Sequence, residues 1–186
     1  MKSALLKHAI QLDTMRPSLY REKRFEEVEH GLQQLLALAA NPEEVWHIKS
    51  LLISHYYFVN DDNRSLQLID EHLKQGGAVL QALIALAEHY HYYQIDVKKA
   101  ACAIEKALVE ALTLGSQVRQ VLGIRIRIAL LNEDYRLVED SLKQLVEYKL
   151  QKNALDVAFE TDFVEAISIA EVSQDLVRQY KGILAR

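Results

Sequence analysis

Apolar positions recur along the chain at the three-and-four spacing of helices with one buried face, and a common start signal opens several of these runs. Asp62-Asn63, Asp96-Val97, Asp134-Tyr135 and Asp162-Phe163 each precede an amphipathic stretch. In each, the residue four past the Asp (Leu66, Ala100, Val138, Ala166) shares a side with those eight and eleven past it. Arg24-Phe25, followed by Val28, Leu32 and Leu35, fits the same template without the acidic cap. The first four anchors lie 38, 34 and 38 residues apart. A period in that range predicts stacked helical hairpins. An Asp at that place has a direct use, because its carboxylate accepts bonds from the exposed N–H groups of the first turn, worth about 1 kcal/mol each.

The elements follow from this pattern and its punctuation. Ser3 to Met15 is an expected helix, with Pro17 kinking or ending it because proline removes a donor and crowds the preceding turn. Helix resumes from Tyr20 to Ala39, and Asn41-Pro42-Glu43-Glu44 supplies a cap, a first-turn proline and two dipole-matched acids for the next, which runs to about Val59. A partner helix ends at Gly76-Gly77; Val79 to Tyr93 and Val97 to Leu114 form a further pair. Ser116 is the expected cap of a helix to Leu131, and Tyr135 to Gln151 packs back on it. A short helix to Phe159 and a longer one from Phe163 to Leu184 complete the chain. Linkers are short, as antiparallel neighbours require. The fold class expected is therefore all-α: one domain over 1–186, with approximate repeats 4–40, 42–75, 78–114 and 116–151 and a cap over 153–186.

Composition narrows the function. Half of the 186 residues are hydrophobic and 26% charged, a balance typical of a folded chain with a continuous core. With 22 basic against 26 acidic residues the net charge is -4, which argues against a nucleic-acid partner. Arg119, Arg125 and Arg127 form a small basic cluster, with Arg125 and Arg127 on different faces and expected to be solvated or paired with nearby Glu. Cys102 is alone, so no internal disulfide is available; a reducing compartment follows, and Cys102 itself is expected to be a buried, inert thiol. Neither a signal-peptide pattern at Met1 to Leu12 nor a run of about 20 apolar residues is present, so a cytoplasmic protein without a membrane partner is expected. His89 and His91 point to opposite sides of a helix, and His47 and His55 are two turns apart, so no metal site is expected. No cofactor motif or nucleophile arrangement occurs, and an enzyme is not expected.

These residues resemble tetratricopeptide repeats. Glu133-Asp134-Tyr135 with Val138, Leu142 and Leu145 matches the turn and second helix of that motif. Asp96 with Ala100, Ile104 and Ala107 places small residues where the family's helices approach closely, and Asp162-Phe163 with Ala166 and Ala170 suggests a truncated unit or cap. The first helices lack the family's Trp, and Leu122-Gly123 is the one clear Leu-Gly pair. Asp70 sits where a large apolar residue belongs. The resemblance implies a right-handed α-solenoid of about four antiparallel hairpins plus a C-terminal capping helix, with the first helices lining a concave groove.

Counting back from each anchor gives two rungs on the first helices. Tyr20, Phe58, Tyr92 and Leu130 lie four residues before it; Pro17, His55, His89 and Arg127 lie seven before. Three residues apart, the rungs share a helix face. Tyr20, His55, Phe58, His89, Tyr92 and Arg127 are thus the candidate partner-binding residues, rings for apolar contact and Arg127 for carboxylates or carbonyls. The function expected is a non-enzymatic module that binds a peptide, helix or protein surface, of adaptor, chaperone or toxin-neutralising type. The alternative is a helical sensor domain for a small ligand or signalling peptide. A homodimer is possible through an uncapped apolar end.

Overall fold

The computed structural model describes residues 3–152 and 172–184; the Asp162-Phe163 anchor and the expected helix to Phe159 lie outside them. Among the described residues the elements are α1 (Ala4–Arg21), α2 (Phe25–Leu38), α3 (Pro42–Phe58), α4 (Asp62–Gln75), α5 (Val79–Glu88), a π-helical segment (His89–Tyr93), α6 (Val97–Leu114), α7 (Val118–Leu131), α8 (Tyr135–Lys152) and α9 (Gln174–Leu184). They fall into two compact units, the first ending at Ala82 and the second beginning at Leu83.

In the first unit α1 packs on α2 and α3, α2 on α3, and α3 on α4. Its core gathers Ala9, Leu19, Val28, Leu32, Ile48, Leu52 and Tyr56. In the second, α6 packs on α7, α7 on α8, and α8 on α9. Ala100, Ala103, Ala107 and Ala111 of α6 are all buried, which lets its backbone come close to its neighbour, while Leu142, Leu145, Val177 and Tyr180 fill the space around α8 and α9.

One turn is built repeatedly. Lys23, Asn60, Ile95 and Glu133 each take a left-handed backbone conformation, and each directly precedes a helix N-cap. The N–H of Arg24, Asp61 and Asp134 donates to the carbonyl five residues back, at Leu19, Tyr56 and Ala129. Asp61, Asp96 and Asp134 then accept from the N–H three residues on, at Arg64, Lys99 and Leu137. Gly76 and Gly115 terminate α4 and α6 in the left-handed conformation, where a Cβ would be strained.

Five sequence expectations change. α1 runs unbroken through Pro17 to Arg21, since a proline there forfeits one intrahelical bond while packing on α2 and α3 holds the rest. The expected helix from Tyr20 to Ala39 is split by the turn at Lys23, and α2 begins only at Phe25. The cap of α4 is Asp61, with Asp62 already helical. Counted from Asp61, the buried positions become Ser65, Ile69 and His72, matching Val28 and Leu32, Ala100, Ile104 and Ala107, and Val138, Leu142 and Leu145. Asp70 therefore does not displace a core residue; Ile69 occupies that place. Ser116 does not cap α7, which starts after Gln117 with no side-chain cap. Finally, the third hairpin holds one extra residue before its turn. Asp96 N–H reaches back six positions to the Tyr90 carbonyl, not five, across the π-helical segment.

The third turn is also the strained one. Ile95 has φ 50° and is 72% exposed, so a β-branched side chain holds a left-handed backbone with little burial in return. Ile95→Asn is expected to raise stability by about 1 kcal/mol in urea unfolding. A loss would show that Ile95 makes contacts outweighing its strain.

Candidate functional site

The C-terminal half of α1 and that of α3 enclose an open pocket of about 480 Å3 in the first unit. Arg16, Pro17, Tyr20 and Arg21 line it from one helix, Ser54 and Phe58 from the other. The continuity of α1 through Pro17 is what brings these four residues to one face, at the helical offsets of one, four and five.

The floor is aromatic and fixed. Tyr20 and Phe58 stack with centroids 4.0 Å apart and planes 19° apart, and Phe25 closes on both at 5.6 and 6.1 Å. The Tyr20 hydroxyl lies 2.8 Å from Nδ1 of His55, which is fully buried beneath it. Burial holds the His55 pKa below its ordinary value, an effect that Glu29 opposes and Arg16 reinforces. Burial likewise pushes the Tyr20 phenol up. The neutral forms of Tyr20 and His55 share this hydrogen bond, and the ring is oriented before any partner arrives.

The rim is cationic but its two arginines differ. Arg16 is committed: it pairs with Asp13 at 2.9 Å and donates to the Ser54 hydroxyl at 3.2 Å. Among the described residues Arg21 bonds through its Nε alone, to the Pro17 carbonyl at 3.4 Å, and its side chain is exposed. Phe58 is 54% exposed beside it.

Of the sequence candidates, Tyr20, His55 and Phe58 meet around this pocket, with His55 as support beneath the surface. His89, Tyr92 and Arg127 belong to the second unit. There His89 is fully buried, Tyr92 is 54% exposed with the His91 ring edge-on at 4.2 Å, and Arg127 is half-buried. The charge of Arg127 bears on Glu88 and His91. Burial raises the Glu88 carboxyl pKa against the pull of Arg127, and burial together with Arg127 lowers that of His91. The inserted residue of the π-helical segment shifts the count there by one, so Glu88 and His91 take the rungs that straight counting gives to His89 and Tyr92.

Sequence reading missed Arg16, Arg21 and Ser54. The signal was present in the offsets of Arg16 and Arg21 from Tyr20, but a helix stopped at Pro17 does not project them onto one face. One chemical expectation changes: Cys102 is exposed on α6, not buried. Arg125 takes the paired branch of its expectation and is 8% exposed: it pairs with Glu105 at 2.6 Å and Asp140 at 2.9 Å, and donates to the Ser141 hydroxyl at 2.9 Å. Among the described residues no group of three His, Cys, Asp or Glu is placed to hold a metal ion, and no helix is long and apolar enough to cross a membrane.

No protein-family model matches the sequence, and no curated protein matches it. Solved structures do. The chain is similar to the nearly identical TPR-like repeats of a Podosopora anserina protein assigned as a kinesin light chain, at 13% identity and a TM-score of 0.64, covering 99% of this chain and 98% of that one. A single-substitution variant of the same repeats gives a TM-score of 0.65 at 13% identity, over 100% and 98% of the two chains. With left-handed turns recurring at four described hairpins, three of them capped by Asp, this similarity establishes the chain's fold as that of the TPR-like helical repeats.

Proposed function

We propose that this chain is a non-enzymatic protein-interaction module, of the adaptor, chaperone or toxin-neutralising kind, and that the α1–α3 pocket is a principal contact point. TPR-like folds commonly mediate contacts between proteins. The observation that carries the reading is the stacked Tyr20–Phe58 pair, solvent-exposed at Phe58 and braced from below by His55. Rigid aromatic rings with one face open to water are enriched at protein contact surfaces. A projecting apolar side chain of a peptide or protein partner fits against Phe58 and Pro17, and a carboxylate next to it reaches the exposed side chain of Arg21. Exposure of Phe58 and Arg21 favours this reading over a closed small-ligand sensor.

The test uses a partner identified by affinity capture and calorimetric titration of purified variants. Phe58→Ala is expected to weaken binding about 30-fold, ~2 kcal/mol, with thermal unfolding little changed because the ring is half exposed. Arg21→Glu is expected to weaken it further if the partner is acidic. Unchanged affinity in both would remove the pocket from the contact surface.

A further inference from the structure

In the first unit, one core position of the repeated second helix departs from the others. Eleven residues past the cap, the hairpins carry Leu35, Ala107 and Leu145; the α3–α4 hairpin carries His72, which is 2% exposed. A polar, titratable ring in a place built for aliphatic side chains needs a reason, and its surroundings supply one. Nε2 of His72 accepts the backbone N–H of Ala78 at 3.0 Å, across the turn that joins α4 to α5. To accept there, Nε2 must carry no proton, so the proton of neutral His72 is on Nδ1. Nδ1 is buried with no partner.

The ring is tightly enclosed. Trp46 of α3 lies 4.7 Å from it centroid to centroid. Gly77 approaches so closely that a Cβ there would come within 2.8 Å of Cε1. The charge that acts directly on it is a cation. Lys49 of α3 is 4% exposed, donates to Gln75 Oε1 at 3.2 Å, and its ammonium acts on His72. Glu71 acts on Lys49 in turn. Residues 79–82 of α5 bring no titratable side chain.

We propose that His72 is a proton-operated latch: its neutral ring ties the 76–78 turn to α4, and its protonation frees the joint between α4 and α5. Protonated Nε2 becomes a donor facing the Ala78 N–H, which is also a donor, and a second cation is created beside Lys49 in the same buried space. Neither conflict can be relieved while the ring stays under Gly77. Burial and Lys49 both lower the pKa of His72 in the closed form. The open form recovers the ordinary value of about 6.5. The open form therefore binds more protons between those two values, and opening is favoured as pH falls through that window. Above about 6.5 both forms are neutral and the latch is fully engaged.

The full chain labelled with 15N provides the test. Imidazole 15N shifts at neutral pH are expected to place the His72 proton on Nδ1. Between pH 7.5 and 5, the opening constant of the Ala78 amide, corrected for intrinsic exchange, is expected to rise by up to tenfold per pH unit below about 6.5. His72→Gln, whose side-chain oxygen can accept the same N–H without titrating, is expected to flatten that dependence. A proton found on Nε2, a pH-independent Ala78 amide in the wild type, or an undiminished slope in His72→Gln would each overturn the proposal. The first two readings need only the wild-type protein.

Discussion

Arg125→Ala is expected to cost the second unit about 2–3 kcal/mol in urea unfolding, one of the largest effects open to a single residue of this chain. The guanidinium ties three successive helices: Glu105 on α6, and Asp140 and Ser141 on α8, all to one side chain of α7. Burial works against its charge, yet the hydrogen bonds it donates to Glu105 and Asp140, with the charge of both, outweigh that and raise its pKa. Truncation leaves the buried Ser141 without this donor and opens a cavity where the long stem had packed. The cost stays below that of breaking a fully buried pair because Glu105 and Asp140 are 47% and 55% exposed, so their carboxylates rehydrate when the cation is gone. Arg125→Met separates the two contributions. It keeps most of the stem volume and is expected to cost only about 1 kcal/mol. Equal losses for Ala and Met would mean that the ion pairs, not the packing, hold α6, α7 and α8 together.

Arg125 also marks where sequence reading reaches its limit. Alternation along α7 separates Arg125 from Arg127 correctly, but periodicity assigns a face by counting apolar neighbours and so sends an arginine outward. Its burial depends on two carboxylates brought in by α6 and α8, which is tertiary information. Cys102 fails in the opposite sense: an Ala-rich neighbourhood reads as buried, yet one helical residue in that stretch must face out. The hairpin architecture was legible because its signals are local. Asp96 and Asp134 cap where expected, and Gly76 and Gly115 end α4 and α6 by a conformation that glycine adopts without strain. The pocket was half legible. Tyr20 and Phe58 came from counting, whereas Arg16 and Arg21 required α1 to continue through Pro17, and a proline's local penalty says nothing about the packing that offsets it. In the third hairpin no propensity announces an inserted residue; only the six-residue reach from Asp96 to Tyr90 shows that Glu88 and His91 have moved into the counted rungs.

The α4 register is the point where a one-residue error can be measured. Asp61 and Asp62 are both plausible caps, and choosing Asp62 predicts a buried face at Leu66 and Asp70, with the aspartate as a defect. Choosing Asp61, whose carboxylate receives the Arg64 N–H at 3.2 Å, turns the helix by about 100° and buries Ser65, Ile69 and His72. Ser65 is compatible with that position because its hydroxyl donates to the Ile53 carbonyl at 3.1 Å. Ile69 is fully buried, so Ile69→Ala removes three carbons from a packed interior and is expected to cost about 3 kcal/mol in urea unfolding. Asp70→Ala is expected to stay within about 0.5 kcal/mol of wild type, since the side chain is partly exposed and off the core face. The contrast discriminates sharply: a small loss at Ile69 with a gain at Asp70 would restore Asp62 as the cap and take His72 off the core face. The latch therefore stands on the same register as this pair of substitutions: the repeat's third core rung is aliphatic in its other described copies, and in the α3–α4 hairpin it carries the ring that accepts the Ala78 N–H.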